Sequence, residues 1–210
     1  MALEKEDMKD FFRKFWFLLW KDNSLKGWIF SVIFLLLFIK LIFFPLLSLT
    51  TGTSLPLAIV ESCSMYHNGN LFSNFDSWWN NHEEKYSEIG INETDFLDFS
   101  MEKGFNKGDI LFIIRANPKK IKEGDIIIFN SGQRNPIIHR VIEIKEENGK
   151  KVFSTMGDNN NGQLSFEKRI TEEQLVGKAV IKLVPYGGWI KLVFYDWQKP
   201  VGERGFCDEN

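Results

Sequence analysis

The stretch of sequence from residue 138 to residue 156, IHRVIEIKEENGKKVFSTM, decides the fold class of this protein. Two runs with β-branched residues flank an Asn-Gly dipeptide, which favours a two-residue turn between antiparallel strands. This turn places Glu147 opposite Lys150, and the same register, extended along the hairpin, places His139 opposite Asp158. Opposed residues have Cβ atoms about 4.5–5.5 Å apart, so the hairpin predicts a hydrogen bond between the imidazole and the carboxylate. A β-bulge would shift this pairing by one residue.

Apolar runs bounded by turn residues predict short strands, one of which lies in this hairpin. They cover residues 57–60, 110–114, 126–129, 141–144 and 176–181. Gly-Asp pairs introduce the second and third runs and are interpreted as turns. No long helix separates these runs, which favours an antiparallel sheet over a parallel α/β sheet. We therefore predict a mainly β fold, in which one transmembrane helix precedes an antiparallel β-sheet domain with a short helical insertion.

The predicted insertion, at about residues 67–104, is acidic and interrupts the pattern of strands. Residues 67–103 contain eight acidic residues and two lysines. Asn92 and Thr94 form a glycosylation sequon. Asn92 is also of a residue type that commonly caps helices, and capping is the interpretation that we favour.

Residues 28–49 form an apolar segment in which 17 of 22 residues are Leu, Ile, Phe or Val. As an α-helix this segment is about 33 Å long, compared with about 30 Å of bilayer hydrocarbon. Lys40 near its middle costs about 2.5–3.5 kcal/mol on insertion, which is less than the apolar residues contribute. We predict a retained transmembrane helix. A buried core helix is the alternative, and the length of the segment disfavours a cleaved signal peptide.

The apolar segment divides the chain into regions of different composition. The predicted regions are a cytoplasmic or interfacial amphipathic segment (1–27), the transmembrane helix (28–49), an extracytoplasmic domain (50–198) and a polar tail (199–210). Arg13 and Lys14 interrupt the aromatic residues before the helix, as in helices that lie at a membrane interface. The first 27 residues hold six Lys or Arg and five acidic residues, a small basic excess that predicts a cytoplasmic N-terminus.

The composition excludes several classes of protein and site. With 26 Lys and Arg against 28 Asp and Glu, no basic surface for nucleic acid is expected. A hydrophobic fraction of 44% excludes a disordered chain. The two cysteines, Cys63 and Cys207, are too few for a disulfide framework or for a four-ligand zinc site. No metal or organic cofactor is predicted.

The chain has three histidines, which limits the candidates for a base that works near neutral pH. His67 and His82 lie in or beside the acidic insertion, where a solvated surface position is predicted. His139 faces Asp158 in the predicted hairpin, an arrangement that orients a general base. The alternative is a structural pair that only holds the end of the hairpin.

Residues 61–65, ESCSM, follow the membrane segment and resemble the nucleophile box of type I signal peptidases, in the branch of archaea and the endoplasmic reticulum. Three more stretches resemble boxes of this family, in the family's order. They are residues 122–126 (KEGDI), 138–141 (IHRV) and 155–160 (TMGDNN). Each motif is short, and it is the order of all four after a membrane helix that makes the resemblance specific. The resemblance covers most of residues 55–185.

The resemblance implies roles for four residues. Ser64 is the expected nucleophile and His139 the general base. Asp158 is the expected carboxylate that orients this base, and the hydroxyl of Ser62 is expected to support the oxyanion. The family carries a second Asp six positions after the first, where this chain has Leu164. That departure leaves the usual role of the second acid unassigned.

Cys63 lies between the two serines of the nucleophile box. In an extended segment its side chain points to the opposite face from both serines. We therefore expect that Cys63 is not the nucleophile and that its replacement leaves most activity intact.

These motifs predict a membrane-anchored serine endopeptidase that removes signal peptides from exported preproteins. The predicted location is the cell membrane, with one span and the peptidase domain outside. A substrate peptide is expected to add as an extended strand beside residues 57–60, with Leu57, Ile59 and Met65 as candidate contacts. The resemblance implies small substrate side chains one and three positions before the cut.

The predicted partners are signal peptides and the lipid bilayer, with secretion machinery as a further candidate and no nucleic acid. One alternative is a non-catalytic, membrane-tethered β domain that binds extended peptides or a secretion partner. The other is a protease of the same fold that processes different precursors.

Overall fold

The computed structural model describes residues 2–68 and 75–207. The chain forms two compact units, Met1–Thr50 and Thr51–Asn210. The first unit is helical, and the second contains a β-sheet, the two helices of the insertion and a C-terminal group of short helices.

The N-terminal unit consists of two helical stretches joined by a short turn. Its elements are α1 (Ala2–Trp20), α2 (Leu25–Phe38), a π-helical turn (Ile39–Phe43) and α3 (Phe44–Thr51). Ser24 caps α2, since its side chain accepts the backbone N–H of Gly27 at 3.2 Å. The π-helical turn lies just before Pro45, which has no N–H and disfavours regular α-helical bonding at this point.

The second helical stretch, Leu25–Thr51, is long and apolar enough to cross a membrane. It has 27 residues and a mean hydropathy of 2.7, and it is the single helix with these properties within residues 2–68 and 75–207. The predicted span, residues 28–49, lies inside it. None of the residues in its most apolar 18-residue stretch is buried. The structure therefore does not support the alternative of a buried core helix.

Helix α1 folds back against α2 instead of lying apart from it. The ring of Phe15 is 5.6 Å from that of Phe30 and 5.3 Å from that of Phe34. Large apolar side chains of α1 remain exposed: Phe11, Phe12, Trp16 and Trp20. The interfacial position predicted for residues 1–27 stays a prediction, and these exposed side chains are the ones that would contact lipid.

The C-terminal unit is built on a seven-stranded antiparallel sheet, which confirms the predicted fold class. The strands lie in the order β1-β2-β7-β3-β4-β5-β6. They are β1 (Leu57–Ile59), β2 (Ile110–Ile114), β3 (Ile126–Phe129), β4 (Ile137–Glu147), β5 (Lys150–Met156), β6 (Ile170–Thr171) and β7 (Leu175–Val184). Every neighbouring pair is antiparallel, and each predicted strand overlaps one of these.

The β4–β5 hairpin has the predicted register near its turn but not at its far end. Glu147 lies opposite Lys150, as the Asn-Gly turn predicts. A β-bulge at Ile142 then shifts the pairing by one residue, so that Arg140 lies opposite Met156. This shift changes which side chains meet beyond the bulge.

The two Gly-Asp pairs form turns that lead into β2 and β3, as predicted. Gly108 and Gly124 have φ angles of 93° and 84°, in the region that favours glycine. The carboxylate of Asp109 accepts the backbone N–H three residues earlier at 2.8 Å, and Asp125 does the same at 2.9 Å. These side chains stabilise the turns and take no part in the site described below.

The acidic insertion forms two helices that pack on the hairpin. They are α4 (Phe75–Ser87) and α5 (Glu93–Leu97). Buried aromatic residues of both helices form a cluster with Ile142 and Met156: Trp78, Trp79, Tyr86 and Phe96. Asn92 caps α5 by accepting the N–H of Asp95 at 3.0 Å, which confirms the capping interpretation. Residues 69–74 of the insertion and 208–210 of the predicted tail lie outside the described residues.

After β7 the chain forms α6 (Trp189–Leu192) and two 3-10 turns, Asp196–Gln198 and Val201–Glu203. Three further 3-10 turns connect the strands: Pro118–Lys120, Ser165–Glu167 and Glu172–Gln174. The turn Ser165–Glu167 follows β5 and contributes a residue to the candidate site.

Candidate active site

Ser64 and His139, which the sequence predicts to act together, are in direct contact. The Oγ of Ser64 lies 2.8 Å from Nε2 of His139. His139 is buried on β4, and Ser64 lies in the turn that follows β1. The Oγ of Ser62 is 3.2 Å from that of Ser64, so both hydroxyls of the nucleophile box lie on one side of the loop.

The loop of residues 61–64, here called the nucleophile loop, is joined to the sheet domain by backbone hydrogen bonds at both ends. Before the loop, the N–H of Val60 donates to the carbonyl of Asp109 at 2.9 Å. At its other end, the carbonyl of Ser64 accepts the N–H of Asn159 at 2.8 Å. The motif that contains Asp158 therefore holds the nucleophile loop through its backbone.

A buried glutamate contacts the second ring nitrogen of the histidine. One carboxylate oxygen of Glu167 contacts Nδ1 of His139. Glu167 is fully buried at the end of the 3-10 turn that begins at Ser165. Its other oxygen accepts the backbone N–H of Leu164 at 2.7 Å, which fixes the orientation of the carboxylate.

The two contacts of His139 define its tautomer. A carboxylate only accepts hydrogen bonds, so Nδ1 of His139 carries a proton and donates to Glu167. Nε2 is then unprotonated and accepts a hydrogen bond from the hydroxyl of Ser64. In this arrangement a histidine is able to remove the proton of a serine as that serine attacks a carbonyl carbon.

The contact predicted between His139 and Asp158 is not formed, and this expectation is corrected. The bulge in β4 shifts the register, so the two residues are no longer opposed. Both oxygens of Asp158 instead accept hydrogen bonds from Arg140, at 2.9 Å from Nε and 2.6 Å from Nη2. Neighbouring residues of a strand point to opposite faces, so Arg140 binds Asp158 while His139 binds Glu167.

Asp158 is the centre of a buried polar network. It accepts a hydrogen bond from the hydroxyl of Tyr86 at 3.0 Å and one from Nε2 of His67 at 2.9 Å. Burial raises the pKa of Asp158, but the guanidinium of Arg140 and the hydrogen bonds outweigh burial, so this pKa lies well below its ordinary value. The carboxylate is therefore charged, and it is held by Arg140, Tyr86 and His67.

Lys85 of the insertion helix α4 binds the backbone of the loop that contains Asp158. Its ammonium donates to the carbonyl of Asp158, and to that of Asn160 at 2.8 Å. Burial lowers the pKa of Lys85 to about 8. Together with Tyr86, Lys85 links the acidic insertion to the loop that holds the carbonyl of Ser64.

His67 is buried, although the sequence predicted a surface position. Its ring stacks on Trp78 with centroids 3.6 Å apart, and 2% of the residue is exposed. Burial lowers the pKa of His67 to about 4, although the hydrogen bond to Asp158 opposes this. His67 is thus neutral near pH 7 and donates from Nε2.

We expect His67 to make the stability of the domain fall on acidification. An unfolded histidine binds its proton near pH 6.5, whereas folded His67 binds it near pH 4. Between these values the unfolded chain binds more protons, so the free energy of unfolding decreases as the pH drops, by a few kcal/mol in all. Melting temperatures of wild type and His67→Gln from pH 7 to pH 4 check this. The variant should show a shallower decline, and parallel curves would contradict the assignment.

The two cysteines form a disulfide bond, which was not predicted from the sequence. Cys63 and Cys207 are bonded with their Cα atoms 5.5 Å apart, across 144 positions of sequence. Cys63 therefore has no free thiol to act as a nucleophile, in agreement with the choice of Ser64. The expectation that replacing Cys63 leaves most activity intact was based on a free cysteine and did not take this bond into account.

The candidate substrate contacts fall into two groups. Leu57 and Ile59 are half-buried on β1, which stands at the end of the strand order and pairs only with β2 among the described strands. Such an edge has backbone groups available for an added strand. Met65 is 1% exposed and packs in the core, so it is corrected from a candidate substrate contact to a core residue.

Glu167 is the site residue that sequence reasoning missed. The family's second Asp corresponds to Leu164, which is 44% exposed. The next acidic residue, Glu167, lies three positions later, and one 3-10 turn connects the two positions. The sequence did contain a signal for Glu167, because this residue lies within one turn of the position where the family's second Asp is absent.

No protein-family model matches the chain, but a comparison with individual proteins finds similar ones. It is similar to the signal peptidase complex catalytic subunit SEC11C of Homo sapiens, with 36% identity over 114 residues, which cover 49% of this chain and 57% of the relative. It is 35% identical over 105 residues to the catalytic subunit SEC11 of Lachancea thermotolerans, which cover 46% and 61%. The chain thus spans about three fifths of the length of these relatives. The matches confirm the resemblance that the four motifs indicated.

Proposed function

We propose that this protein is a membrane-anchored serine endopeptidase that cleaves signal peptides from exported preproteins. The observation that carries the proposal is the contact chain from Ser64 through His139 to Glu167. Its relatives among signal peptidase catalytic subunits indicate the reaction class. The triad is Ser-His-Glu instead of the Ser-His-Asp that the sequence predicted.

The proposed reaction is acyl transfer through Ser64. His139 takes the hydroxyl proton at Nε2 while Oγ attacks the scissile carbonyl carbon. It then donates that proton to the departing amine, and the acyl-enzyme is hydrolysed by a water that His139 deprotonates. The carboxylate of Glu167 stabilises the imidazolium that forms in both steps and keeps Nε2 directed at Ser64.

The oxyanion of the tetrahedral intermediate would be bound by the backbone N–H of Ser64 and the hydroxyl of Ser62. The 3.2 Å between the two Oγ atoms supports this, because it places the hydroxyl of Ser62 beside the attacking oxygen. One such donor changes kcat by about 10²–10³ in other enzymes.

The substrate would bind as an extended strand along β1. Main-chain hydrogen bonds to the edge of β1 give affinity in this mode, and shallow pockets for alternate side chains give specificity. Leu57 and Ile59 are the proposed contacts, and the family's preference for small side chains near the cut would follow from shallow pockets.

The proposed location is the cell membrane, with the domain after residue 50 on the extracytoplasmic side. Two observations support a membrane anchor and an oxidising compartment. The helix Leu25–Thr51 is able to span a bilayer. The disulfide between Cys63 and Cys207 belongs in an oxidising compartment, because cytosolic thiols are kept reduced. The helix would also confine enzyme and substrate to one membrane, which raises their effective concentration.

The function is tested by incubating the detergent-solubilised protein with a labelled preprotein, beside Ser64→Ala. We expect one cut at the end of the signal peptide with wild type only. Binding of the preprotein without a cut would instead support a non-catalytic β domain. Cleavage of other precursors while the preprotein stays intact would support a same-fold protease with a different substrate.

The orientation is tested by adding a protease to intact spheroplasts that carry the protein with a tag at either end. A C-terminal tag should be digested and an N-terminal tag spared, because the basic flank of the membrane helix favours the cytoplasm. The reverse pattern would exclude both the orientation and the proposed access to exported substrates.

A further inference from the structure

The segment from residue 189 to residue 207, here called the C-terminal brace, contacts the nucleophile loop at two points. Cys207 is joined to Cys63 by the disulfide. Lys199 donates to the backbone carbonyl of Glu61, and the ammonium of Lys191 lies 3.2 Å from the carboxylate of Glu61. These contacts lie on either side of Ser62.

The brace is itself fixed to the sheet domain. The buried ammonium of Lys107 lies 2.6 Å from the carboxylate of Asp196 and donates to the carbonyl of Glu203 at 2.6 Å. The indole N–H of Trp189 donates to the carbonyl of Lys107 at 3.1 Å, and the ring of Phe206 lies 4.8 Å from that of Trp189. A contact of the brace therefore restrains the loop relative to the body of the domain.

The restrained part of the loop carries both proposed oxyanion donors. Residues 61–64 are outside helices and strands. Cys63 is preceded by the residue that supplies one donor, the hydroxyl of Ser62, and followed by the residue that supplies the other, the N–H of Ser64. The carbonyl of Ser64 and the contact of its Oγ with His139 are held by other groups. Loss of the disulfide would loosen the donors more than the nucleophile.

We propose that the Cys63–Cys207 disulfide positions the oxyanion donors, so that the rate of cleavage depends on the thiol–disulfide state of the surroundings. The inference deepens the proposed function and rests on it. It replaces the expectation that Cys63 is dispensable. Cys63 and Cys207 act here as positioning residues, since neither touches the reacting atoms.

The chemistry is ordinary thiol–disulfide exchange. A thiolate of a dithiol reductant attacks one sulfur of the bond, and the second thiol of the reductant then displaces the mixed disulfide. Two electrons and two protons pass to the protein, which gives two cysteine thiols and the oxidised, cyclic reductant. Cys63 and Cys207 are both half-buried, not enclosed, which allows a small dithiol to approach.

Oxyanion donors act mainly in the transition state, so their displacement should lower kcat without weakening substrate binding. With a dithiol reductant, kcat for the preprotein should fall by about 10- to 100-fold, while KM stays within about twofold. Reoxidation should restore kcat. Cys207→Ser should show the same low kcat without reductant and no response to it, which controls for other effects of the reductant.

Two measurements separate this proposal from its alternatives. In a Ser62→Ala background the effect of reduction should shrink, because one of the two positioned donors is gone. Mass spectrometry should show faster amide hydrogen exchange in residues 60–66 after reduction, whether or not the protein cleaves the preprotein. If the exchange responds but oxidised wild type shows no Ser64-dependent cleavage, the proposed function fails while the positioning of the loop stands.

The proposal is overturned by an unchanged kcat in protein whose disulfide is reduced, as verified by mass. It is also overturned if reduction raises KM and leaves kcat unchanged, since the brace would then shape the substrate site and not the oxyanion site. If Cys207→Ser does not fold, reduction of folded wild type gives the same comparison.

Discussion

Replacing Ser64 with alanine should abolish cleavage of a labelled preprotein, with a loss in kcat of roughly 10⁶-fold, as for single losses from other serine triads. The variant removes the oxygen that lies 2.8 Å from Nε2 of His139 and thus the only atom proposed to form the acyl bond. The side chain is half-buried and the variant removes a single oxygen atom, so the melting temperature should change little. Single-turnover kinetics and thermal unfolding check both expectations.

Ser62→Ala is the matched control, because it deletes a hydroxyl of the same size on the same loop. It should lower kcat by about 10²–10³ and leave measurable cleavage. Equal residual activity in both variants would show that Ser64 is not the nucleophile.

Glu167→Gln should lower kcat by about 10³–10⁴, the effect of removing the orienting carboxylate from a comparable triad. A glutamine amide is able to donate to Nδ1 of His139, which favours the tautomer with its proton on Nε2. That tautomer cannot accept the proton of Ser64. The amide also loses the charge that stabilises the imidazolium. The measurement is kcat per folded molecule, with the folded fraction taken from near-ultraviolet circular dichroism.

Asp158→Asn is the comparison that distinguishes the two buried carboxylates. It leaves the guanidinium of Arg140 buried without a counter-charge, so the free energy of unfolding should fall by about 3–5 kcal/mol. The kcat of the folded fraction should stay within about tenfold of wild type, because Asp158 does not contact His139. A loss in kcat equal to that of Glu167→Gln would return Asp158 to the mechanism.

Features that follow from short stretches of sequence were predicted from the sequence alone. The Asn-Gly turn set the register of the hairpin close to the turn, and short apolar runs with no long helix between them indicated an antiparallel sheet. The length and apolarity of residues 28–49 indicated a helix able to span a bilayer. Ser64 and His139 were predicted to act together because four short motifs, in the family's order, resemble those of type I signal peptidases.

The choice of carboxylate could not be made in the same way. It depends on one bulge at Ile142, which shifts every strand pairing beyond it. It also depends on a 3-10 turn that brings the carboxylate of Glu167 to Nδ1 of His139. Neither a bulge nor a single 3-10 turn has a sequence pattern strong enough to predict its position.

The burial of His67 and the disulfide were likewise decided only by tertiary structure. His67 is buried because the insertion helix α4 folds over it and stacks Trp78 on its ring. The polar sequence around His67 had led to the prediction of a surface position. Cys63 and Cys207 are 144 positions apart, and only the return of the C-terminal brace to the nucleophile loop brings them together. Local patterns in a sequence specify elements and their faces, whereas contacts between distant positions follow from how those elements pack.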